Sequence, residues 1–399
     1  MNLSSHVPSI GELNLPDRLL RELRARGIVA LPQVLVAMRK WSQRRVKEVL
    51  GMPADELREL WMPKVTRLLG QAAHEAMAQA AGFKMPSLKG IAGPSDTSPI
   101  LRQRRANSMT QRDKVVSAIT RLAGRNRLPP RMLLTDWMTP VRDQGHLGSC
   151  TGWASTANRE MLAKETLSPL FAYMLAKALD GQPNIEGSWQ QFCFQGFAEV
   201  GQVRDAELPY TDHPHDMDIE PYRREAGEFV AEGFCDVLLD EPDMALQPTL
   251  LKAILAGELN GDLGPQAVSV SIAIYESFAD ATTSLHGLVT VPDETEWLRG
   301  GHAMCVAGYI GIEDEANPYG IDLFVVKNSW SAQWASQNAF GFAGYALIPA
   351  AYFQQHRLLW EALVCLAETS PAHSGGWLDL LRSAWGPRQL AGIPASCVA

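Results

Sequence analysis

The spacing of apolar positions divides the chain. Between residues 10 and 81, apolar side chains recur three and four apart: Leu19, Leu20 and Leu23; Val34, Leu35 and Met38; Val46, Val49 and Leu50; Leu57, Leu60, Trp61, Val65, Leu68 and Leu69. That spacing predicts short amphipathic helices. Pro16-Asp17, Leu31-Pro32 and Met52-Pro53-Ala54-Asp55 supply helix starts and breaks. Arg26-Gly27-Ile28 and Leu50-Gly51-Met52 each set a Gly between a helix end and an apolar residue, a pattern that reads as two helix-hairpin-helix turns. After Cys150 a helix-compatible run follows through Trp153, Ala154, Ala157, Met161 and Leu162. Leu167 to Tyr173 and Trp189 to Glu199 predict two more helices. Then the period changes to two. Ala267 to Ile274 alternates like a barrel strand, and Leu288–Val291, Ala303–Tyr309, Leu323–Lys327 and Gly344–Ile348 predict its neighbours. The fold class expected is α+β, with a helical lobe and a β-barrel-like lobe, preceded by a small all-α domain.

Between the two parts lies a punctuated stretch. Pro86-Ser87, Gly93-Pro94-Ser95 and Thr97-Ser98-Pro99 predict irregular backbone, with a short helix from Gln111 to Leu122. Four segments follow: residues 1–85, a helical docking domain; 86–128, a basic linker; 129–366, the α+β domain; and 367–399, a C-terminal tail. The tail has one amphipathic stretch, Trp377 to Trp385.

Composition narrows the class. The chain has 399 residues, too many for one small core. Its 46% hydrophobic and 20% charged content is ordinary for a soluble globular protein. No run approaches the roughly 20 apolar residues of a membrane span, so no membrane partner is expected. Met1 to Arg18 has neither a basic start nor an apolar core, so no secretory signal is expected. The six cysteines, Cys150, Cys193, Cys235, Cys305, Cys365 and Cys397, contain no Cys-x-x-Cys. Neither a zinc site nor a disulfide framework is indicated. The expected location is the cytoplasm, with signal-independent export left open.

Charge is unevenly placed. Residues 1–131 carry 23 Lys+Arg against 10 Asp+Glu, a net of +13. The remainder carries 13 against 34, a net of −21. Such asymmetry points to a protein partner or to docking of the basic segment on the acidic domain, where it would cover the cleft or present a substrate. The plainer reading is a solvated tether beside an acidic, soluble domain. Arg102-Gln103-Arg104-Arg105 is a basic cluster open to proteolysis.

The candidate chemistry centres on Gln144 to Gly152, Gln-Gly-His-Leu-Gly-Ser-Cys-Thr-Gly. Cys150 stands where a helix begins, and a helix N-terminus favours thiolate over thiol. Gln144 and the Cys150 backbone N–H are candidate oxyanion donors. Downstream, Gly301-His302-Ala303 opens a strand and Lys327-Asn328-Ser329-Trp330 ends another. Cys150, His302 and Asn328 are thus a candidate nucleophile, base and orienter.

These blocks, in this order, resemble the papain-like (C1) cysteine peptidase family across Leu134 to about Pro349. Asp136-Trp137, Thr139 to Gly145 and Gly148-Ser149-Cys150 resemble its opening motif. Gly301-His302-Ala303 with Val306, Gly308 and Tyr309 resembles its histidine motif. Lys327 to Trp330, Trp334 and Gly344-Tyr345 resemble its asparagine motif, and Leu208-Pro209-Tyr210 its Tyr-Pro-Tyr element. The departures are specific. Leu147 stands where secreted members carry a disulfide Cys, and Cys-Trp-Ala-Phe becomes Cys150-Thr151-Gly152-Trp153. Ser331-Ala332-Gln333-Trp334-Ala335 replaces Gly-x-x-Trp-Gly. Asn184-Ile185-Glu186-Gly187-Ser188 stands roughly in place of Cys-Asn-Gly-Gly. The pattern is similar to a bacterial, disulfide-free branch.

The resemblance implies a thiol endopeptidase acting on protein or peptide, without metal or organic cofactor. It implies that Trp330 shields the His302–Asn328 bond and that Gly187, Ser188, Gly301 and Trp330 line the substrate cleft. A transamidase or deamidase with the same triad, and a non-catalytic docking protein on a retained peptidase fold, are the alternatives. Leu13 to Leu69 more weakly resembles the C-terminal domain of the RNA polymerase alpha subunit, whose hairpins contact DNA backbone or protein. Protein docking is the favoured reading. Nucleic-acid binding needs exposed hairpin N–H groups beside cations; Arg44, Arg45 and Lys47 are present, but no base-reading motif is.

Overall fold

The computed structural model describes residues 7–70 and 128–366, apart from residues 42, 52, 54, 56–58, 60, 241 and 259–263. The predicted helix over 111–122, the 102–105 cluster and the 377–385 stretch lie outside the described residues.

The N-terminal part is helical, as its 3.6-residue period predicts: α1 (Asp17–Ala25), α2 (Leu31–Lys40), α3 (Gln43–Leu50) and α4 (61–70). Their apolar stripes meet in one core, with Leu19, Leu23, Leu31, Leu35, Val46, Trp61 and Val65 buried. The helical lobe comprises α5 (Cys150–Ala163), α6 (Pro169–Leu179) and α7 (Gln190–Glu199). Gly152 is what lets α5 and α6 close up, because a Cβ there would overlap the Pro169 carbonyl and press on Tyr173. The motif's departure at this position is thus a packing choice.

The β-lobe is one antiparallel sheet in the order β2-β7-β3-β4-β5-β6, with β1 (Arg131–Leu133) pairing β4. The strands are β2 (Gly233–Asp236), β3 (Val268–Tyr275), β4 (Leu298–Ile310), β5 (Leu323–Lys327), β6 (Tyr345–Pro349) and β7 (Leu359–Leu366). Predicted strand Leu288–Val291 is not one; Leu288 makes only an isolated bridge to Leu347. Its backbone serves another contact instead, since the Val291 N–H donates to the Arg26 carbonyl at 2.9 Å. Helix α8 (Gln247–Leu255), helix α9 (Ala281–His286) and strands β1, β2 and β7 were not foreseen.

The helical part does not stand apart from the β-lobe. Ala281 and Leu285 of α9 belong to its core. Val7, Val29 and Ala30 belong to a second core with Leu288, Tyr319 and Leu347. The α1–α2 hairpin points into this junction. Gly27 sits at φ 67°, and a Cβ there would lie 2.6 Å from Pro349 Cγ. The hairpin N–H groups are all engaged: Gly27 to Arg24 O, Ile28 to Leu23 O, and Val29 and Ala30 to Gln33 Oε1. The first hairpin's N–H groups thus find their partners within the chain. Among the described residues the junction combines two apolar cores with charged contacts, the Arg45–Asp293 ion pair at 3.0 Å and Lys40 beside Asp280 among them.

Candidate active site

Cys150 is the first residue of α5, at the seam of the two lobes. Its Sγ accepts from the Ala303 N–H at 3.4 Å, so the thiol lies against the His302–Ala303 peptide of β4. Register brings this about: Ser271 pairs with Ala303 and Ile272 with His302, placing the histidine near the middle of the β3–β4 ladder.

His302 Nε2 lies 2.8 Å from Asn328 Oδ1. The same oxygen accepts the Ser329 backbone N–H at 2.8 Å, which fixes it as an acceptor. Nε2 must then carry the proton, and Nδ1 keeps its lone pair. Trp330 stacks on the imidazole with centroids 4.6 Å apart, covering the His302–Asn328 bond. Trp330 is itself held edge-on by Phe278 at 6.0 Å and Trp334 at 5.5 Å.

Gln144 is fully buried and held on every side. Its N–H donates to Ser329 O at 2.9 Å, its Oε1 accepts from Ser329 Oγ at 2.6 Å, and its Nε2 donates to Leu147 O at 3.1 Å. One Nε2 hydrogen remains for another acceptor. Tyr210 completes the frame: its hydroxyl donates to Gln144 O at 2.8 Å and pairs with Ser149 Oγ at 2.6 Å. Beneath lies an ionic cluster, where Glu160 of α5 takes Arg142 at 2.5 Å and Lys327 donates to Thr139 Oγ1 at 2.9 Å. This ties the Gln144 segment, the Cys150 helix and the strand ending at Asn328 together.

Cys150 and His302 are each only 1% exposed. Burial pushes the thiol up to about 12 and the imidazole down to about 4. Burial therefore opposes charge on each group taken singly.

The Gly187 N–H donates to the Tyr173 hydroxyl and its carbonyl accepts from Lys177. Ser188 is buried and donates to Asp180 at 2.9 Å. These bonds hold the wall together. Glu186 is the residue that reaches over, its Oε1 accepting the Gly148 N–H at 2.5 Å. Gly301 pairs with Ala273 in the β3–β4 ladder. Sequence reasoning assigned no role to Tyr210, Ser329, Phe278 or Glu361. Tyr210 and Ser329 carried a signal, their places in the Leu208-Pro209-Tyr210 and Lys327-Asn328-Ser329-Trp330 motifs.

Among the described residues no group of His, Cys, Asp and Glu could hold a metal, and no helix is long and apolar enough to cross a membrane. Cys150, Cys193, Cys235, Cys305 and Cys365 are all free and buried.

The geometry agrees with comparisons to known proteins. Procathepsin L of Mus musculus is 28% identical over 226 residues, 53% of this chain and 59% of that protein. Cysteine proteinase 2 of Zea mays is 28% identical over 225 residues, 51% of this chain and 53% of that protein. The chain thus spans between half and two thirds of the length of these relatives. The crystal structure of xylellain, a cysteine protease from Xylella fastidiosa, covers 72% of this chain and 99% of its own at 22% identity and a TM-score of 0.52, a likeness of fold. The sequence model of the papain family cysteine proteases matches residues 131–346, more than half of the chain, and the chain belongs to that family.

Proposed function

We propose that this protein is a cysteine endopeptidase in which Cys150, His302 and Asn328 form the triad. The observation that carries the reading is the shared acceptor Asn328 Oδ1, which holds His302 with Nε2 protonated and Nδ1 basic beside the Cys150 strand contact. As Cys150 Sγ attacks the scissile carbonyl carbon, its proton passes to His302 Nδ1. The negative oxygen takes the free Nε2 hydrogen of Gln144 and the Cys150 N–H at the start of α5. The imidazolium then protonates the departing amine. Water, deprotonated by the same imidazole, hydrolyses the thioester.

The segments 1–85, 86–128, 129–366 and 367–399 are read as docking domain, linker, peptidase domain and tail, acting in the cytoplasm on protein substrates. The shared apolar cores support docking of the helical domain in cis, as a regulatory or substrate-presenting part.

Cys150→Ala should abolish peptide hydrolysis and labelling by an epoxide thiol inhibitor while the fold persists. Unchanged hydrolysis would refute the assignment. A cleavage site engineered into residues 86–128 tests docking: co-elution of both pieces after cutting supports it, and separation opposes it.

A further inference from the structure

A cavity of about 440 Å³ opens where the helical part meets the β-lobe, and neither Cys150 nor His302 lines it. Pockets that hold small molecules run to roughly 300–1,000 Å³, so the space is of ligand size. The end of α2 gives it an apolar wall, with Val36, Ala37 and Trp41. The facing wall comes from the turn between β3 and α9 and from the segment that leads into β4. That wall is acidic, with Glu276, Asp280, Asp293 and Glu296. Among the described residues lining the cavity, Lys40 is the one cation, and it is exposed.

The carboxylates differ in what they already hold. Asp293 pairs with Arg45 at 3.0 Å. Glu296 accepts the N–H groups of Ser277 at 2.8 Å and Asp293 at 3.2 Å. Asp280 is only half engaged. It is 9% exposed, and its Oδ1 alone takes the Thr282 and Thr283 N–H groups, both at 2.9 Å. Among the described residues no hydrogen bond or ion pair reaches its Oδ2, and Lys40 acts on it only through space. A buried carboxylate oxygen left in this way is costly unless a donor or cation arrives. The cavity it lines has room for one.

We propose that this cavity is a binding site for a small organic cation, an ammonium or guanidinium carried on a flat apolar body. The charged head meets Asp280 Oδ2, with Glu276 and Glu296 adding to the negative field. The body lies against Trp41, whose indole suits apolar and cationic groups alike. One wall belongs to the helical part and the other to the β-lobe. An occupant therefore fastens the two together and stabilises the folded chain by mass action.

The test is binding of tryptamine to the full chain at pH 7.5, by isothermal titration calorimetry and thermal melting. Burial pushes Asp280 up to about 6, so it is ionised at that pH. Indole-3-propionate, the same ring with an anionic arm, is the contrast. Saturable binding and a rising thermal midpoint are expected with tryptamine, and neither with indole-3-propionate. Asp280→Asn keeps an Oδ1 acceptor for the α9 cap and removes the charge, so it should weaken tryptamine about tenfold or more. If that variant does not fold, Glu276→Gln at an exposed position should weaken it about threefold. No tryptamine binding up to about 10 mM, or equal binding of indole-3-propionate, overturns the proposal. So does a folded Asp280→Asn protein, or in its place Glu276→Gln, with the wild-type Kd.

Discussion

The Tyr210 hydroxyl donates to the Gln144 carbonyl at 2.8 Å, joining the loop between the lobes to the candidate oxyanion donor. Gln144 is otherwise fixed by Ser329, the neighbour of Asn328. The oxyanion side and the base side of the site are therefore one frame, and Tyr210 is its outer post. Tyr210→Phe keeps the ring on Trp153, 4.6 Å away, and removes the bonds to Gln144 and Ser149. Loss of about 1–1.5 kcal/mol of positioning should lower kcat about tenfold with little change in KM. Steady-state kinetics on a fluorogenic peptide check this; a change confined to KM would contradict it.

Asn328→Ala should cost more. It removes the acceptor of both His302 Nε2 and the Ser329 N–H, so the imidazole loses its tautomer lock and a buried N–H loses its partner. A fall in kcat of about a hundredfold is expected, roughly 2.7 kcal/mol. Histidine ring-nitrogen NMR, which distinguishes the two tautomers, reports the cause directly.

Stability should depend on pH through Glu361. Its carboxyl is raised from 4.5 to about 7, so folding favours the protonated form. The contribution is fully present below about pH 4.5 and is lost as pH rises through 7, amounting to about 3 kcal/mol at most. Asp280, raised to about 6, acts in the same direction. His302 acts oppositely: lowered to about 4, it contributes above pH 6.5 and is lost as pH falls through 4. Denaturant unfolding of wild type and Glu361→Gln at pH 4.5 and 7.5 isolates the first effect, the wild type losing ground to the variant at the higher pH.

The α1–α2 hairpin should matter to the stability of the whole chain. Gly27→Val places a branched side chain at φ 67° against Pro349 and is expected to cost about 3 kcal/mol or more. Gly51, also at positive φ, has nothing within 4 Å, so Gly51→Ala should cost only about 1 kcal/mol. Calorimetry should find one transition, lowered by Gly27→Val. Because the junction holds two apolar cores, 0.5 M salt should not separate the parts; a salt-induced second transition would speak for charge-driven docking.

Reductant should leave the thermal midpoint within about 2 °C, since losing a real disulfide costs about 2–5 kcal/mol. The five described cysteines are free and buried, and Leu147 stands near the nucleophile where secreted relatives have a bridge. A large drop on reduction would contradict this.

The sequence by itself determined the element types and the identity of the chemistry-bearing residues. Local periodicity is written in neighbouring residues, so α1 to α3, α6, α7, β3 and β5 were legible. Motif spacing singled out Cys150, His302, Asn328 and Gln144 because each block is contiguous in the chain. Tertiary structure alone decided what joins across it. The His302–Trp330 stack, the Tyr210 post and the bond from Ser271 of β3 to Glu361 of β7 depend on strand register and lobe closure, which pair residues tens to hundreds of positions apart. The same is true of the cleft wall: Gly187 and Ser188 have a suitable place in the sequence, but Tyr173, Lys177 and Asp180 claim their polar groups. Net charge likewise could not locate the helical domain's attachment. Charge can be counted along a chain, whereas the apolar junction of Val29, Ala30, Ala281, Leu285 and Leu288 exists only once distant segments meet and exclude water.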